Sequence, residues 1–303
     1  MIKINYPTNL EGVKKEYLKI FKRLRMSPLI KGILSRLSIS KDDLLIGSFD
    51  KLVDYCQQFD KLGVSEDDLE KLCNEAYKKY EYYSSKIADF LINPINNFQI
   101  STCSYCNMSY INTFERKTKD NTKKIRQFDL DHVIPKSNYP IVALSLFNFV
   151  PSCKVCNQIV KRAEDLIKIY NKSQAIKLSP TSEKYDFENS VTIKAISIPH
   201  DERYSTFFEK DKDKFQITFD TQDDDYKEEI NFFHLNDRYD YHKLLALRLL
   251  EKQERYPESN IKKISKILGW DEQKIREDIF NEKFVDDDHR TFSKLYKDIM
   301  KYY

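Results

Sequence analysis

The chain is short of glycine (5 in 303 residues), has one tryptophan and five histidines, and carries no apolar run approaching the ~20 residues that a membrane-spanning helix requires. The missing apolar run excludes a helical membrane span. Scarce glycine beside abundant Lys, Glu, Leu and Ile favours helices. No apolar stretch follows Met1-Ile-Lys-Ile-Asn5, so no secretory leader is read and a cytoplasmic, reducing location is expected. In such a compartment the six cysteines are expected as thiols or metal ligands rather than as disulfides. What is plentiful is aromatic: 20 Tyr and 19 Phe, within a hydrophobic content of 41%, predict a core built largely from rings. No internal repeat is visible.

The pattern predicts a mainly helical α+β protein in four segments. Residues 1–97 read as a helical region. Leu10 to Met26 carries apolar residues at helical spacing, Ser40-Lys-Asp-Asp43 starts a second helix with acids in its first turn, and Gly63 is a stop. Ser65-x-x-Asp68 then resembles a capping box that opens a long helix towards Leu91, ended by Asn93-Pro94. Residues 98–165 change to turn chemistry and short β-rich runs. A knuckle or strand is read near 100–113, a basic hairpin tip at 116–124 and a strand at 125–131. A second strand or turn covers Asn148-Phe-Val-Pro151, and a short helix starts near Cys153–Asn157. Residues 166–225 are a mixed connecting segment with strands at Val191–Ile198 and Phe215–Phe219. Residues 226–303 return to helix: Tyr226–Leu235, Arg238–Arg255 with Asn236 as a cap, then shorter helices split by Pro257 and Gly269.

The net charge of +3 hides an uneven distribution. From Ser101 to Arg162 ten Lys/Arg face four acids, so this stretch carries the positive excess and the rest of the chain is acidic. A polyanion is the expected partner of such a segment. Arg116, Lys117, Lys119, Lys123, Lys124 and Arg126 flank the hairpin tip and Lys136 and Lys161 lie farther on, all candidate phosphate contacts. The alternative, a hairpin tip that is merely solvated, stays open.

Cys103-Ser-Tyr-Cys106 and Cys153-Lys-Val-Cys156 bracket this segment. Each Cys-x-x-Cys knuckle offers two thiolates to one side of an ion, and two knuckles close a tetrahedral zinc site with no open position, hence a structural one. The spacer between them is longer than that of a simple zinc ribbon and has to accommodate something further. Neither pair has the βαβ surroundings of a redox motif. Cys56 and Cys73 fall in helical apolar stripes and are expected as buried core thiols.

Inside the spacer stands Phe128-Asp-Leu-Asp131-His132-Val-Ile-Pro135, followed by Asn148 and by Asn157 directly after the last cysteine. Hydrolysis of a phosphodiester needs an activated nucleophile and neutralisation of charge on the phosphate and the leaving oxygen. A hard divalent ion supplies the neutralisation and prefers oxygen donors, which Asp131 and Asn157 possess. His132 has the ordinary pKa suited to proton abstraction. Taken singly, each residue has a plainer reading: an Asp-His pair as a turn or cap, Asn148 as a turn residue, Asn157 as a helix start. Asp129 shares strand parity with Asp131 and reads as a supporting group or a solvated acid. Tyr105, Tyr110 and Tyr139 read as core or as base-stacking residues, with core preferred. The other histidines read as surface or packing residues.

Asp131-His132 with Pro135, Asn148 and Asn157 inside a four-cysteine frame resembles the HNH endonuclease motif of the zinc-bearing ββα-metal subgroup, over roughly 101–162. The resemblance implies His132 as general base, Asp131 and Asn157 as ligands of a catalytic Mg²⁺ or Mn²⁺, Asn148 as brace of the loop carrying the base, and zinc on Cys103, Cys106, Cys153 and Cys156. Lys161 resembles the lysine that follows the third motif position, one residue later than in the family pattern. Ile134-Pro-Lys-Ser-Asn-Tyr-Pro140, Pro151-Ser-Cys-x-x-Cys-Asn157 and Phe233-His-Leu-Asn236 are similar to the PtuB-like antiphage effectors of Septu and retron systems. That similarity implies DNA as substrate and an ATPase partner protein. A zinc-stabilised binding or scaffold module without catalysis remains the alternative.

Overall fold

Three serines begin helices here, because a serine hydroxyl can accept one of the orphan N–H groups of a first turn. Ser27 accepts from Ile30, Ser40 from Asp43 and Ser65 from Asp68. The computed structural model in which these caps are seen describes residues 2–118, 121–162, 164–165, 171–198, 209–280 and 290–302. The chain divides into two units, Ile2–Tyr105 with Ser109–Asp186, and Cys106–Met108 with Phe187–Tyr303.

The first unit holds helices α1 (Leu10–Ile20), α2 (Pro28–Leu37), α3 (Lys41–Ile46), α4 (Phe49–Asp60) and α5 (Glu66–Ile92). The helix predicted over Leu10–Met26 is shorter than expected. It ends at Ile20, and Ser27-Pro28 opens a new helix with proline at its first position, where a missing N–H costs nothing. The 27-residue α5 carries three acids in its first turn and stops at Asn93-Pro94. Its inner face closes an aromatic cluster: Tyr17 lies 5.1 Å from Phe21 and 5.2 Å from Phe90, and Phe21 lies 4.8 Å from Tyr83, ring centre to ring centre.

The expected single strand over 125–131 is two strands with different partners. β1 (Thr113–Lys117) pairs antiparallel with β2 (Thr122–Arg126), and β3 (Asp129–His132) pairs with β4 (Phe149–Ser152), Asp131 opposite Val150 and His132 opposite Phe149. A π-helical turn, Val155–Lys161, follows β4, and α6 (Lys172–Lys177) is opened by an Asn171/Gln174 capping box. Cys56 is buried as expected. Cys73 is only half-buried, because it faces the loop after β3, where its thiol donates to Ser137 O at 3.1 Å.

The second unit contains α7 (Phe187–Ser190) and the antiparallel pair β5 (Thr192–Ser197) and β6 (Phe215–Asp220). Helices α8 (Asp224–Phe232), α9 (Leu235–Asp240), α10 (Lys243–Arg255), α11 (Glu258–Leu268), α12 (Glu272–Phe280) and α13 (Ser293–Tyr302) follow. The helix expected from Arg238 to Arg255 is broken between Asp240 and Lys243. Asn236 does not cap it: its Oδ1 accepts from Phe219 N at 2.9 Å, and Asp240 Oδ1 accepts from Ile217 N at 3.0 Å. Two side chains of α9 thus satisfy the outward N–H groups of β6, which would otherwise form an open sheet edge. Among the described residues no helix is long and apolar enough to cross a membrane.

Candidate active site and cysteine cage

Cys103, Cys106, Cys153 and Cys156 are all buried, and their four sulfurs lie within 4.8 Å of one another. Zinc–thiolate bonds of ~2.3 Å place tetrahedral sulfurs ~3.8 Å apart, so the set fits one zinc ion. Backbone N–H groups already point at three of the sulfurs: Cys153 N to Cys103 Sγ at 3.3 Å, Cys156 N to Cys153 Sγ and Met108 N to Cys106 Sγ at 3.4 Å. Such donors stabilise thiolates. Each cysteine offers one sulfur, and four thiolates would fill a tetrahedral site without an open position, which suits a structural ion.

β4 runs directly into the second knuckle, and its partner β3 presents Asp131 and His132 side by side. Alternation along the strand sends the two side chains different ways. Asp131 is buried. Its Oδ2 accepts from the Tyr105 hydroxyl at 2.5 Å and its Oδ1 from Lys161 Nζ at 3.0 Å. Burial pushes the Asp131 carboxyl upward, while the Lys161 ammonium and the Tyr105 hydroxyl pull it back. His132 lies between Tyr80 and Phe149, with ring centres 4.7 and 4.9 Å away, and its Nε2 sits 2.9 Å from Ala143 O. A carbonyl oxygen only accepts, so Nε2 carries the proton and Nδ1 the lone pair. Burial, then the nearby Lys136 charge, lowers the His132 pKa to about 3, so the ring is neutral at physiological pH.

Asn148 is fully buried at the head of β4. Its Oδ1 accepts from Ile134 N at 2.7 Å, and its Nδ2 donates to Ile134 O at 3.0 Å and Val142 O at 3.1 Å. One amide side chain therefore ties both ends of the loop that follows His132. Asn157, in the first turn after Cys156, donates from Nδ2 to Asp129 Oδ2 at 3.0 Å, and Gln158 Nε2 reaches the same oxygen at 2.8 Å.

Lys161, read from the sequence as a nucleic-acid contact, is instead buried, and its Nζ donates to His132 O at 2.9 Å as well as to Asp131. It lies one residue late in the sequence pattern, and the helical turn it closes is of π type, with Arg162 N bonded to Asn157 O five residues back at 2.8 Å. A π turn absorbs one residue more than an α turn, which brings Lys161 back to the face that carries Asn157.

Asp129, Asp131, His132, Asn157 and Lys161 line one hollow of about 310 Å³, walled on another side by Tyr77 and Tyr80 of α5 and by Lys136. The Lys136 ammonium sits 4.5 Å from the centre of the Tyr77 ring and 4.9 Å from that of Tyr80. A second hollow, of about 430 Å³, shares Arg126 and Asp129 with the first and adds Lys123, Lys124 and Lys154. Lys124 pairs with Asp89 at 2.8 Å, and Arg126 Nη1 donates to Ser84 O at 3.3 Å. Arg116 and Lys117 lie exposed on β1, and Lys119 lies outside the described residues.

Tyr105, Tyr80, Tyr77, Gln158 and Lys154 belong to these surroundings without having been marked as site residues by their spacing. Tyr105 reads from the sequence as core or as a base-stacking residue, with core preferred; it is buried, and its partner Asp131 lies 26 residues away in the chain. Lys154 had a signal, as the cation inside the second knuckle. No family model, no curated protein and no solved structure matches this chain.

Proposed function

We propose that the chain is a metal-dependent HNH-type endonuclease that hydrolyses DNA phosphodiester bonds. The observation that carries the reading is the meeting of Asp131, His132 and Asn157 in one hollow, with Asn148 tying the loop between them. The oxygen donors there suit a hard cation, and Asp131 and Asn157 are the residues that would hold it. Bound Mg²⁺ or Mn²⁺ would supply neutralisation of the scissile phosphate and of the leaving oxygen.

The chain's own residues do the rest. His132 takes a proton from water at Nδ1, since Nε2–H is engaged by Ala143 O. Its lowered pKa keeps that lone pair available, and the negative charge of an incoming phosphate raises its basicity. Phe149 and Tyr80 fix the ring plane. Lys136, Lys123, Lys124, Arg126 and Lys154 line the two hollows and would receive phosphates on either side of the cut. These contacts go to the backbone, so cleavage is expected to be tolerant of sequence. Supercoiled plasmid incubated with Mg²⁺ should be relaxed or linearised, and EDTA should stop it. An intact plasmid under both conditions contradicts the proposal.

One observation favours the second reading, a zinc-stabilised module that binds nucleic acid without cutting. Both Asp131 oxygens already have donors, one of them the ammonium of Lys161, so the carboxylate is charge-compensated within the protein. That reading predicts DNA binding that neither needs Mg²⁺ nor ends in cleavage. The antiphage role and the ATPase partner rest on the three similar segments named above, and co-expression followed by co-purification tests them.

A further inference from the structure

Tyr105 occupies the third place of Cys103-Ser-Tyr-Cys106, so the cage fixes the chain on both sides of it. Its ring is almost entirely buried (1% exposed) and its hydroxyl ends 2.5 Å from Asp131 Oδ2. A buried ring needed only to fill space would serve as phenylalanine, without a hydroxyl to satisfy. Here the hydroxyl's partner is the acid of the candidate site. The other knuckle reaches the same acid by a different route. Cys153 follows Ser152, the last residue of β4, and β4 sets the register of β3 by pairing Ser152 with Asp129 and Val150 with Asp131. The two knuckles are themselves joined through Cys153 N to Cys103 Sγ. Asp131 is thus held by backbone pairing from one knuckle and by a side-chain hydroxyl from the other.

The two donors on the carboxylate are not equivalent. Lys161 arrives on a four-carbon stem with several rotatable bonds, whereas a tyrosine hydroxyl is placed by two torsions and a packed ring. Lys161 also donates to His132 O, whereas the Tyr105 hydroxyl is directed at Asp131 Oδ2 from a ring with fewer torsions to adjust. We propose that Tyr105 is a positioning residue, through which the cysteine cage orients Asp131 for a divalent cation in the hollow. The inference rests on the nuclease reading, in which Asp131 is a ligand of that cation.

The test uses the full chain with its zinc in place and Mn²⁺ alone as probe, read by the spectrum of bound Mn²⁺ as well as by plasmid cleavage. Groups that orient metal ligands typically alter metal affinity or activity ten- to a hundredfold, so Tyr105→Phe should weaken Mn²⁺ binding by about tenfold or more. It should keep one zinc per chain and leave KM for DNA unchanged while kcat falls. In an Asp131→Asn background the same change should have no further effect, which a merely structural role would not produce. Wild-type Mn²⁺ affinity and kcat in Tyr105→Phe overturn the positioning role and leave the nuclease reading intact. Loss of zinc from Tyr105→Phe also overturns it, by showing that the hydroxyl serves the cage. A wild-type chain that neither binds Mn²⁺ nor cleaves overturns both.

Discussion

Asn148 holds Ile134 by both ends of its backbone, accepting from its N–H at 2.7 Å and donating to its carbonyl at 3.0 Å. Ile134 is two residues beyond His132, and a third bond to Val142 O reaches the residue before Ala143, whose carbonyl fixes the imidazole. One buried side chain therefore sets the position of the candidate base from both directions. Asn148→Ala removes three buried bonds and leaves Ile134 N–H without its acceptor, a cost of about 2–4 kcal/mol. Urea unfolding should show a midpoint lowered accordingly with the slope unchanged. A variant as stable as wild type would mean that the loop is held by other contacts.

The cage makes a prediction about composition. Elemental analysis of the purified protein should find one zinc per chain, and Cys156→Ser should lose it. Because binding free energy at a thiolate site is also folding free energy, the variant should melt well below the wild type. A zinc-free wild-type protein with unchanged stability would remove the cage from the account.

Burial of His132 in neutral form makes stability depend on pH. The unfolded chain takes up a proton at this residue below about 6.5, whereas the folded chain does so only near the folded pKa of about 3. Between these values the unfolded state binds more protons, so stability falls as the pH is lowered through the window and is fully present above it. Asp131 contributes with the opposite sign, since its folded pKa is raised, and that part is common to wild type and variant. His132→Phe should therefore flatten the fall in melting temperature between pH 7 and pH 4. An unchanged slope would show that His132 does not titrate as a buried group.

The second hollow predicts a salt signature. Each cation that displaces a counterion from duplex DNA contributes ~0.9 to the slope of log affinity against log salt concentration. Lys123→Ala and Lys154→Ala should each make the slope shallower by about that amount, as read by anisotropy with a labelled duplex. Slopes identical to wild type would place the DNA elsewhere.

Local chemistry in the sequence told of the parts whose causes are local. Ser40 and Ser65 announce helix starts because a cap and the N–H that donates to it lie three residues apart, and the alternation around Ile193 and Ile217 announces β5 and β6. The grouping of four cysteines was legible because matched pairs at knuckle spacing have few other uses. Where the cause lies across the fold, the sequence misled. Asn236 reads as a cap, but it is drawn to the N–H of Phe219. Lys161 reads as a phosphate contact because a lysine in a basic segment is taken to be exposed, whereas the π turn carries it inward to Asp131. Tyr105 carries no mark of its partner at all. The pairing of Asn157 with Asp129 rather than with another group was equally hidden, since it depends on how β3 and the π turn meet.

In the proposed mechanism the imidazole of His132 activates water in a hollow beside the cage. Plasmid cleavage in Mg²⁺ by wild type and by His132→Ala, at equal zinc content and equal DNA affinity, tests it most directly. The wild type should cleave, EDTA should abolish cleavage, and the variant should lose at least about a hundredfold in rate, the lower end of what a general base contributes. Cleavage by His132→Ala at the wild-type rate would contradict it.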